Sequence, residues 1–353
     1  MAASVVDPLV DERWPEFVDE HPRSSVFHDV RWLRALWLTY GYKPLAITTS
    51  SPGEHLKNAL VFCDVRSWLT SRRLVSLPFS DHCDLLTNPH DDHAELLAHL
   101  AALVGRAIHY AEIRPSSCDL TSPEHAWRRG ESFIHHTLSL DPGLNDLFHQ
   151  LHKDCIQRKI RKATKEGLGY TKGNSDLLFQ QFYGLLLRTR RRHRIPPQPI
   201  EWYQNLISCM GDRLTIRIAS KDRQPAAAIL TLKHKDTITY KYGCSDERLN
   251  CFGGMPFLFW MVIQEEKEAG ARSLDLGRSE ADNSGLIEFK DRLGAVRTHM
   301  TYWRCSSAGA KIFGPTWISH LARKLVPRLP SAILHLPRGL LGASGGFFYK
   351  HMD

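Results

Sequence analysis

The sequence predicts an α/β (α+β) chain of two similar units followed by a basic tail, and three observations carry that prediction. Helical signals, then extended ones, then a helix and a strand occur in the same order twice along the chain. The length, 353 residues, suffices for two domains, each with its own core. Apolar residues make up 42% and charged residues 24%, the balance of a globular protein rather than a disordered one. No residue-level repeat accompanies the recurrence, so the duplication rests on element order. The expected boundaries are 1–150, 151–305 and 306–353.

The first half opens with a helix over Leu9–Glu20. In "SSVFHDVRWLRALWLTYGY", Trp32, Leu33, Leu36 and Trp37 recur at helical spacing, Ser24 or Ser25 can cap, and Gly41 ends the helix. Pro44–Thr49 and Ala59–Val65 read as strands around the turn "SSPGEH". "RLVSLPFSDHCDLL" adds a short strand and a polar loop, Asp91–Tyr110 a helix, and "AEIRP" a strand stopped by Pro115. The second half begins with a two-faced helix in "HKDCIQRKIRKATKEGLGY". A helix capped near Asn174–Ser175 follows, broken by "PPQP", then a helix in "IEWYQNLISCM". Strands come at Arg213–Ala219, Ala226–Lys233 and Thr237–Cys244. The helix Pro256–Ala269 has Pro at its start and Gly270 just past its end. "RSLDLG" is a strand, a helix starts near Ser284, and Arg297–Arg304 is the last strand. Four prolines break the tail into short helical pieces in which apolar residues alternate with Lys and Arg. Such pieces can lie on an anionic membrane surface or pack on the body.

Several classes are excluded. The longest uncharged run, Leu249–Gln264, is shorter than the roughly 20 residues of a spanning helix. The N-terminus carries acids and Pro8 where a signal peptide needs a basic and then an apolar run, so a cytoplasmic protein is expected, peripheral to the membrane if the tail binds it. None of the eight cysteines forms C-x-x-C, no H-E-x-x-H occurs, and no metal site is read. Charge is uneven. Within the net charge of +8, residues 153–194 hold twelve Lys and Arg against three acids. Such a zone suits phosphates, nucleic acid or anionic lipid, or is simply a solvated face.

Candidate chemistry sits in three places. Gly253 and Gly254 lie between a strand and a helix N-terminus, where backbone amides can receive a diphosphate. On the basic helix, Arg158, Arg161, Lys162 and Lys165 oppose Ile156, Ile160 and Ala163, a row of cations that can hold phosphates without reading bases. On the helix after Ser284, Leu286, Phe289 and Leu293 share one side with Ile287 beside them, and Lys290 falls within that apolar arc. A lysine aimed inward can stabilise a carbonyl oxygen that gains charge; it can also snorkel to water.

The segment "LDLGRSEADNSGLIEFKDRLGA" resembles the signature of the FemAB-like branch of the GNAT acyltransferases: a strand ending Asp-x-Gly-Arg, a polar loop, and a helix with Phe-Lys followed by Gly-Ala. "SVFHDVRWLRAL" resembles that branch's opening Phe-His-x-x-x-Trp helix, and "LPFSDHCDLL" its Pro-Phe-x-Asp loop. "QRKIRKATKEGL" resembles its basic helix, and "RRRHRIPPQPIEWYQNL" its Arg-rich helix and proline loop. The resemblance implies two tandem GNAT-like domains, each a mixed sheet flanked by helices, and acyl or aminoacyl transfer to an amine. It implies no resident cofactor. The donor would be acyl-CoA or aminoacyl-tRNA, and the acceptor an envelope or exopolysaccharide precursor. Lys290 corresponds to the Phe-Lys lysine. Asp81 corresponds to the loop aspartate, which can accept a proton from the amine or orient the acceptor, or can simply cap a turn. Arg278 would bind phosphate or carboxylate at a strand end, and Tyr240, Tyr242, Arg158 and Arg161 would line the donor groove. The alternative is a non-catalytic polyanion-binding or scaffold protein with the same fold.

Overall fold

A computed structural model describes residues 3–66, 72–87, 93–105, 107–116, 126–193 and 197–306. The tail expected from 306, with its lipid contact, lies outside the described residues apart from Ser306.

In chain order the elements are β1 (Ser4–Val6), α1 (Arg13–Glu20), α2 (Val30–Tyr40), β2 (Lys43–Thr48), β3 (Leu60–Val65) and β4 (Arg73–Val75). Next come α3 (His93–Ala102), β5 (Tyr110–Ile113), β6 (Trp127–Ser139) and α4 (Leu144–Gln150). A π-helical turn, Lys153–Gln157, then leads into α5 (Arg158–Lys165). β7 (Gly169–Gly173), α6 (Asp176–His193), α7 (Ile200–Met210), β8 (Leu214–Lys221), β9 (Gln224–His234) and β10 (Thr237–Ser245) follow. The chain continues through α8 (Gly254–Glu268), β11 (Ser273–Glu280), α9 (Ser284–Arg292) and β12 (Val296–Ser306).

The residues form two compact units. Of the described residues, the first takes those within 1–132, 198–209 and 300–306; the second takes those within 133–197 and 210–299. The divisions thus fall inside β6 and β12 rather than at 150 and 305. The helix α7, sequentially in the second half, packs in the first unit. Its Trp202 is fully buried edge-on to Trp32, with ring centroids 5.2 Å apart, and burying one such aromatic outweighs the adjacency of neighbours along the chain.

In the first unit the strands run β1-β2-β3-β4-β5-β12, antiparallel except for the parallel pair β4–β5. Leu60, Phe62, Leu74, Ala111 and Ile113 pack with Leu96, Leu97 and Leu100 of α3. Each such side chain contributes roughly 1.5–3 kcal/mol relative to exposure. Asp29, not Ser24 or Ser25, caps α2, its carboxylate accepting the Arg31 N–H at 2.9 Å. Ser24 instead donates to the Val18 carbonyl and Ser25 donates to His28. Gly41 closes the helix at φ +68 as expected. α1 starts only at Arg13, because Asp7 and Asp11 hold the preceding backbone in turns. α3 stops at Ala102, well before Tyr110, which already belongs to a strand.

In the second unit the order is β6-β11-β10-β9-β8-β7, antiparallel except for β10–β11. Leu258, Phe259, Val262 and Ile263 of α8 and Ile160 and Ala163 of α5 cover Ala227, Ile229, Leu274 and Leu276. Phe182 of α6 packs on the alternate face, where the Cys244 thiol donates to its carbonyl. Each unit is therefore a mixed sheet flanked by helices. The sequence reading passed over β6. Its Arg, Glu and His residues break the apolar alternation that marks a strand.

Candidate active site

The site grows from a defect in the second unit's sheet. β10 and β11 pair in parallel only over Thr237–Thr239 and Ser273–Asp275. Both strands then bulge, β10 between Tyr240 and Tyr242 and β11 between Asp275 and Arg278. A bulge adds a residue on one strand, bends it and ends local pairing, so the two strands separate where the ladder stops. Gly277 forms the β11 bulge with φ +69, a conformation a Cβ would strain. The Asp275 carboxylate accepts the Gly277 N–H at 2.8 Å and holds the bulge in place.

Lys290 closes the arrangement. Asn283 caps α9 by accepting the Leu286 N–H at 3.2 Å, which sets the phase of the helix. Lys290 is then 3% exposed, deeper than Leu286 or Phe289. Its Nζ donates to the carbonyls of Gly277 at 2.9 Å and Arg278 at 3.0 Å. The ammonium does not snorkel, because the β11 bulge turns two carbonyl oxygens toward it. Asp-x-Gly-Arg and Phe-Lys are thus one physical unit: a carboxylate fixes a bulge, and the bulge carbonyls hold a lysine.

Around this unit the strands present two faces. On one, the Arg278 guanidinium stacks 4.2 Å over the Phe133 ring, and Arg278 stands in register with His135 of β6. His135 Nε2–H donates to Asp275 at 2.8 Å, and both side chains are buried. His136, next along β6, points to the other face. It is fully buried and donates through Nε2 to Asp291 at 3.3 Å. Burial and then the nearby Lys290 charge lower its pKa, and Asp291 opposes them. The hydrogen bond from Arg297 holds the Asp291 carboxyl below the usual carboxylate range. The sequence reading missed both histidines as partners. Their only signal was the adjacent pair itself, and neither carboxylate lies near them in sequence.

The other expected residues fall as follows. Tyr240 packs on Phe259 of α8, and Phe259 on Phe289 of α9, with centroids 4.9 and 5.6 Å apart. The β10 bulge puts Tyr242 on the other face, in alternation with Cys244, so the two tyrosines do not share one wall. Gly253 and Gly254 are buried. A Cβ at Gly253 would meet the Lys159 carbonyl oxygen at 2.6 Å, and one at Gly254 would meet Ala227 Cβ at 3.0 Å. The chain itself makes the close approach that these glycines permit. Arg158 and Arg161 are exposed on α5, with Arg161 donating to Gln157 at 3.2 Å.

Asp81 lies in the first unit, 8% exposed. Its loop is pinned through the backbone. Arg114 donates to the Leu77 and Ser80 carbonyls at 3.0 and 3.1 Å, Tyr302 to the Asp81 carbonyl at 2.7 Å, and His28 to that of Asp84 at 3.0 Å. That gives the "FHDVRW" histidine a structural task. Glu112 in turn receives Arg114 and Arg304 without exposure to solvent.

The comparisons with known proteins agree with this architecture. Residues 151–291 match the acetyltransferase (GNAT) domain family. Among solved structures, that of FemX superposes with a TM-score of 0.64 at 13% identity, covering 85% of this chain and 97% of that one. A tandem GNAT protein from the clavulanic acid biosynthesis pathway gives 0.53 at 12% identity, covering 88% and 100%. The C-terminal domain of a putative lysylphosphatidylglycerol synthetase from Agrobacterium fabrum gives 0.53 at 13%, covering 91% and 95%. No curated protein matches the chain. Among the described residues no helix is long and apolar enough to cross a membrane. With a matched GNAT domain over residues 151–291 and two mixed-sheet units, the chain has the tandem GNAT fold, similar to that of FemX.

Proposed function

We propose that this protein is an N-acyltransferase that moves an acyl group onto an amine of a cell-envelope or exopolysaccharide precursor, with the second unit as its catalytic half. The observation that carries the reading is the splay between β10 and β11, closed at its β11 side by the clamped Lys290. Strand edges that leave a ladder present backbone N–H and C=O groups, and an extended donor with its own amides, such as acyl-CoA, can pair with them. A buried ammonium next to such a groove stabilises the oxygen that gains charge as the amine adds, and does so without reorganising solvent. Arg278 suits a phosphate or carboxylate of the bound substrates, and Asp81 is the carboxylate proposed to orient the acceptor. The envelope acceptor draws support from likeness of fold to a lysylphosphatidylglycerol synthetase, by its name a maker of an aminoacylated lipid.

The exposed cations of α5 favour a second reading, a polyanion-binding or scaffold protein without turnover. Native mass spectrometry of the purified chain separates the donors, because coenzyme A, charged tRNA and a lipid-linked sugar differ widely in mass. Lys290→Met then separates enzyme from scaffold. A catalytic lysine loses about 10²–10³-fold in turnover with donor affinity kept; a scaffold keeps its ligand binding and shows no turnover before or after.

A further inference from the structure

We propose that a cavity at the C-terminal end of β10 binds the phosphate or diphosphate of a phosphorylated small molecule, held by Arg188, Arg192 and Arg248. The site goes beyond the acyl-transfer reading, which gives the Arg-rich end of α6 no task.

The cavity has a volume of about 340 Å³ and is lined by Arg188, Arg192, Ser245, Asp246, Glu247 and Arg248, all of the second unit. Ligand pockets run from roughly 300 to 1,000 Å³, so this one suits a small organic molecule. Its walls are α6 and the 3₁₀ turn Glu247–Phe252 that follows β10. In open α/β sheets, the region outside the carboxyl ends of strands is where ligands bind. α6 covers the sheet face opposite α8. The cavity is therefore distinct from the α8 N-terminus, where the chain itself closes on Gly253 and Gly254.

The walls are fixed before any ligand arrives. Thr189 of α6 donates to the Ser245 carbonyl at 3.1 Å and accepts the Ser245 N–H at 2.9 Å. Asp246, its side chain 4% exposed, accepts from Arg188, and from Nε and Nη2 of Arg248 at 3.0 and 2.6 Å. The Arg248 hydrogen bonds hold its carboxyl far below the usual carboxylate range, so Asp246 is ionised at neutral pH. One carboxylate thus anchors guanidiniums from two elements. It takes one N–H from Arg188 and two from the Arg248 side chain, of the five that each guanidinium carries. Arg192 is held more loosely. Its Nη1 lies 4.0 Å from Glu247, a side chain 66% exposed, and a contact of that length is not a hydrogen bond. Glu247 is the group an incoming anion displaces.

Charge sets the ligand class. Three guanidiniums stand against two carboxylates, one positive charge in excess, and two once Glu247 turns to water. A phosphate ester carries about −1.5 to −2 at neutral pH, and its oxygens match the guanidinium fork two at a time. The carbonyl end of α6 opposes an anion; Arg248, from outside that helix, offsets it.

Isothermal titration of the full chain with inorganic pyrophosphate and with glucose 1-phosphate, at about 0.1 M salt, tests the site. It needs no turnover, so its outcome is independent of the acyl-transfer reading. One saturable site per chain is expected, and the preferred probe tells a diphosphate ligand from a monoester. Arg192→Gln should weaken binding by about 10–100-fold, and Arg192→Lys, which keeps the charge without the fork, by less. Glu247→Gln should tighten it by about three- to tenfold, a gain that misfolding does not produce. Arg158→Gln with Arg161→Gln, on the exposed face of α5, should change nothing. The proposal is overturned if the parent shows no saturable binding, or if Arg192→Gln and Glu247→Gln both bind as the parent does. Loss of binding in the α5 variant overturns it as well, by placing the anion on that helix.

Discussion

Lys290 offers the sharpest stability measurement. Replacing it by Met keeps a stem of similar length and removes the ammonium. Two charge-assisted hydrogen bonds are lost, to Gly277 and Arg278, each worth about 1.5–3 kcal/mol. Against that loss, an ammonium no longer has to be kept out of water, a relief of several kcal/mol. The net expectation is a loss of about 1–3 kcal/mol. Alanine removes the stem as well. Three methylenes at about 0.8 kcal/mol each add roughly 2 kcal/mol, before any cavity cost. The difference between the two variants cancels the charge contribution and reports stem burial alone. Urea unfolding followed by far-UV circular dichroism measures both. If Lys290→Ala and Lys290→Met unfold within about 0.5 kcal/mol of each other, the stem is not packed. If Lys290→Met is as stable as the parent, the two hydrogen bonds only balance the cost of burying the ammonium, and the net stabilisation expected of the clamp is refuted.

Two further tests address the frame around it. Gly253→Ala should destabilise by about 2–4 kcal/mol, because a left-handed φ of +79 and a 2.6 Å approach to the Lys159 carbonyl act together. Gly41→Ala, at φ +68 with nothing within 4 Å, should cost only about 1 kcal/mol, and thermal melts of the pair compare strain with strain plus collision. His136 predicts a pH dependence. Its pKa is lowered in the folded state, so the unfolded chain binds the proton first. Its contribution is complete above the ordinary histidine value of about 6.5 and is lost as pH falls from there toward the lowered pKa. His136→Gln should flatten the parent's loss of stability across that window, and an unchanged pH slope would remove His136 from the account.

Much of this molecule was legible in local sequence. Ile156, Ile160 and Ala163 turned inward and the α5 cations outward, because helical phase is set within two turns. Gly41 ended its helix, and α9 began at Ser284 with Lys290 in its buried arc. Phase alone left open whether the ammonium would reach water or find partners. β6 and the place of α7 were harder. A strand with Arg, Glu and His at its core carries no apolar alternation, and Trp202 finds Trp32 through packing rather than sequence proximity.

By itself the sequence determined the elements with strong periodicity or caps, the order in which they recur, and an inward lysine thirteen residues from the carbonyl it binds. Only the tertiary structure decided that β10 and β11 separate after three paired residues, that one bulge serves both Asp275 and Lys290, and that His135 meets a carboxylate 140 residues away. The reason is range. Helical phase and capping depend on neighbours a few residues apart, whereas strand partners, bulges and side-chain dyads depend on which distant segments bury each other's surface.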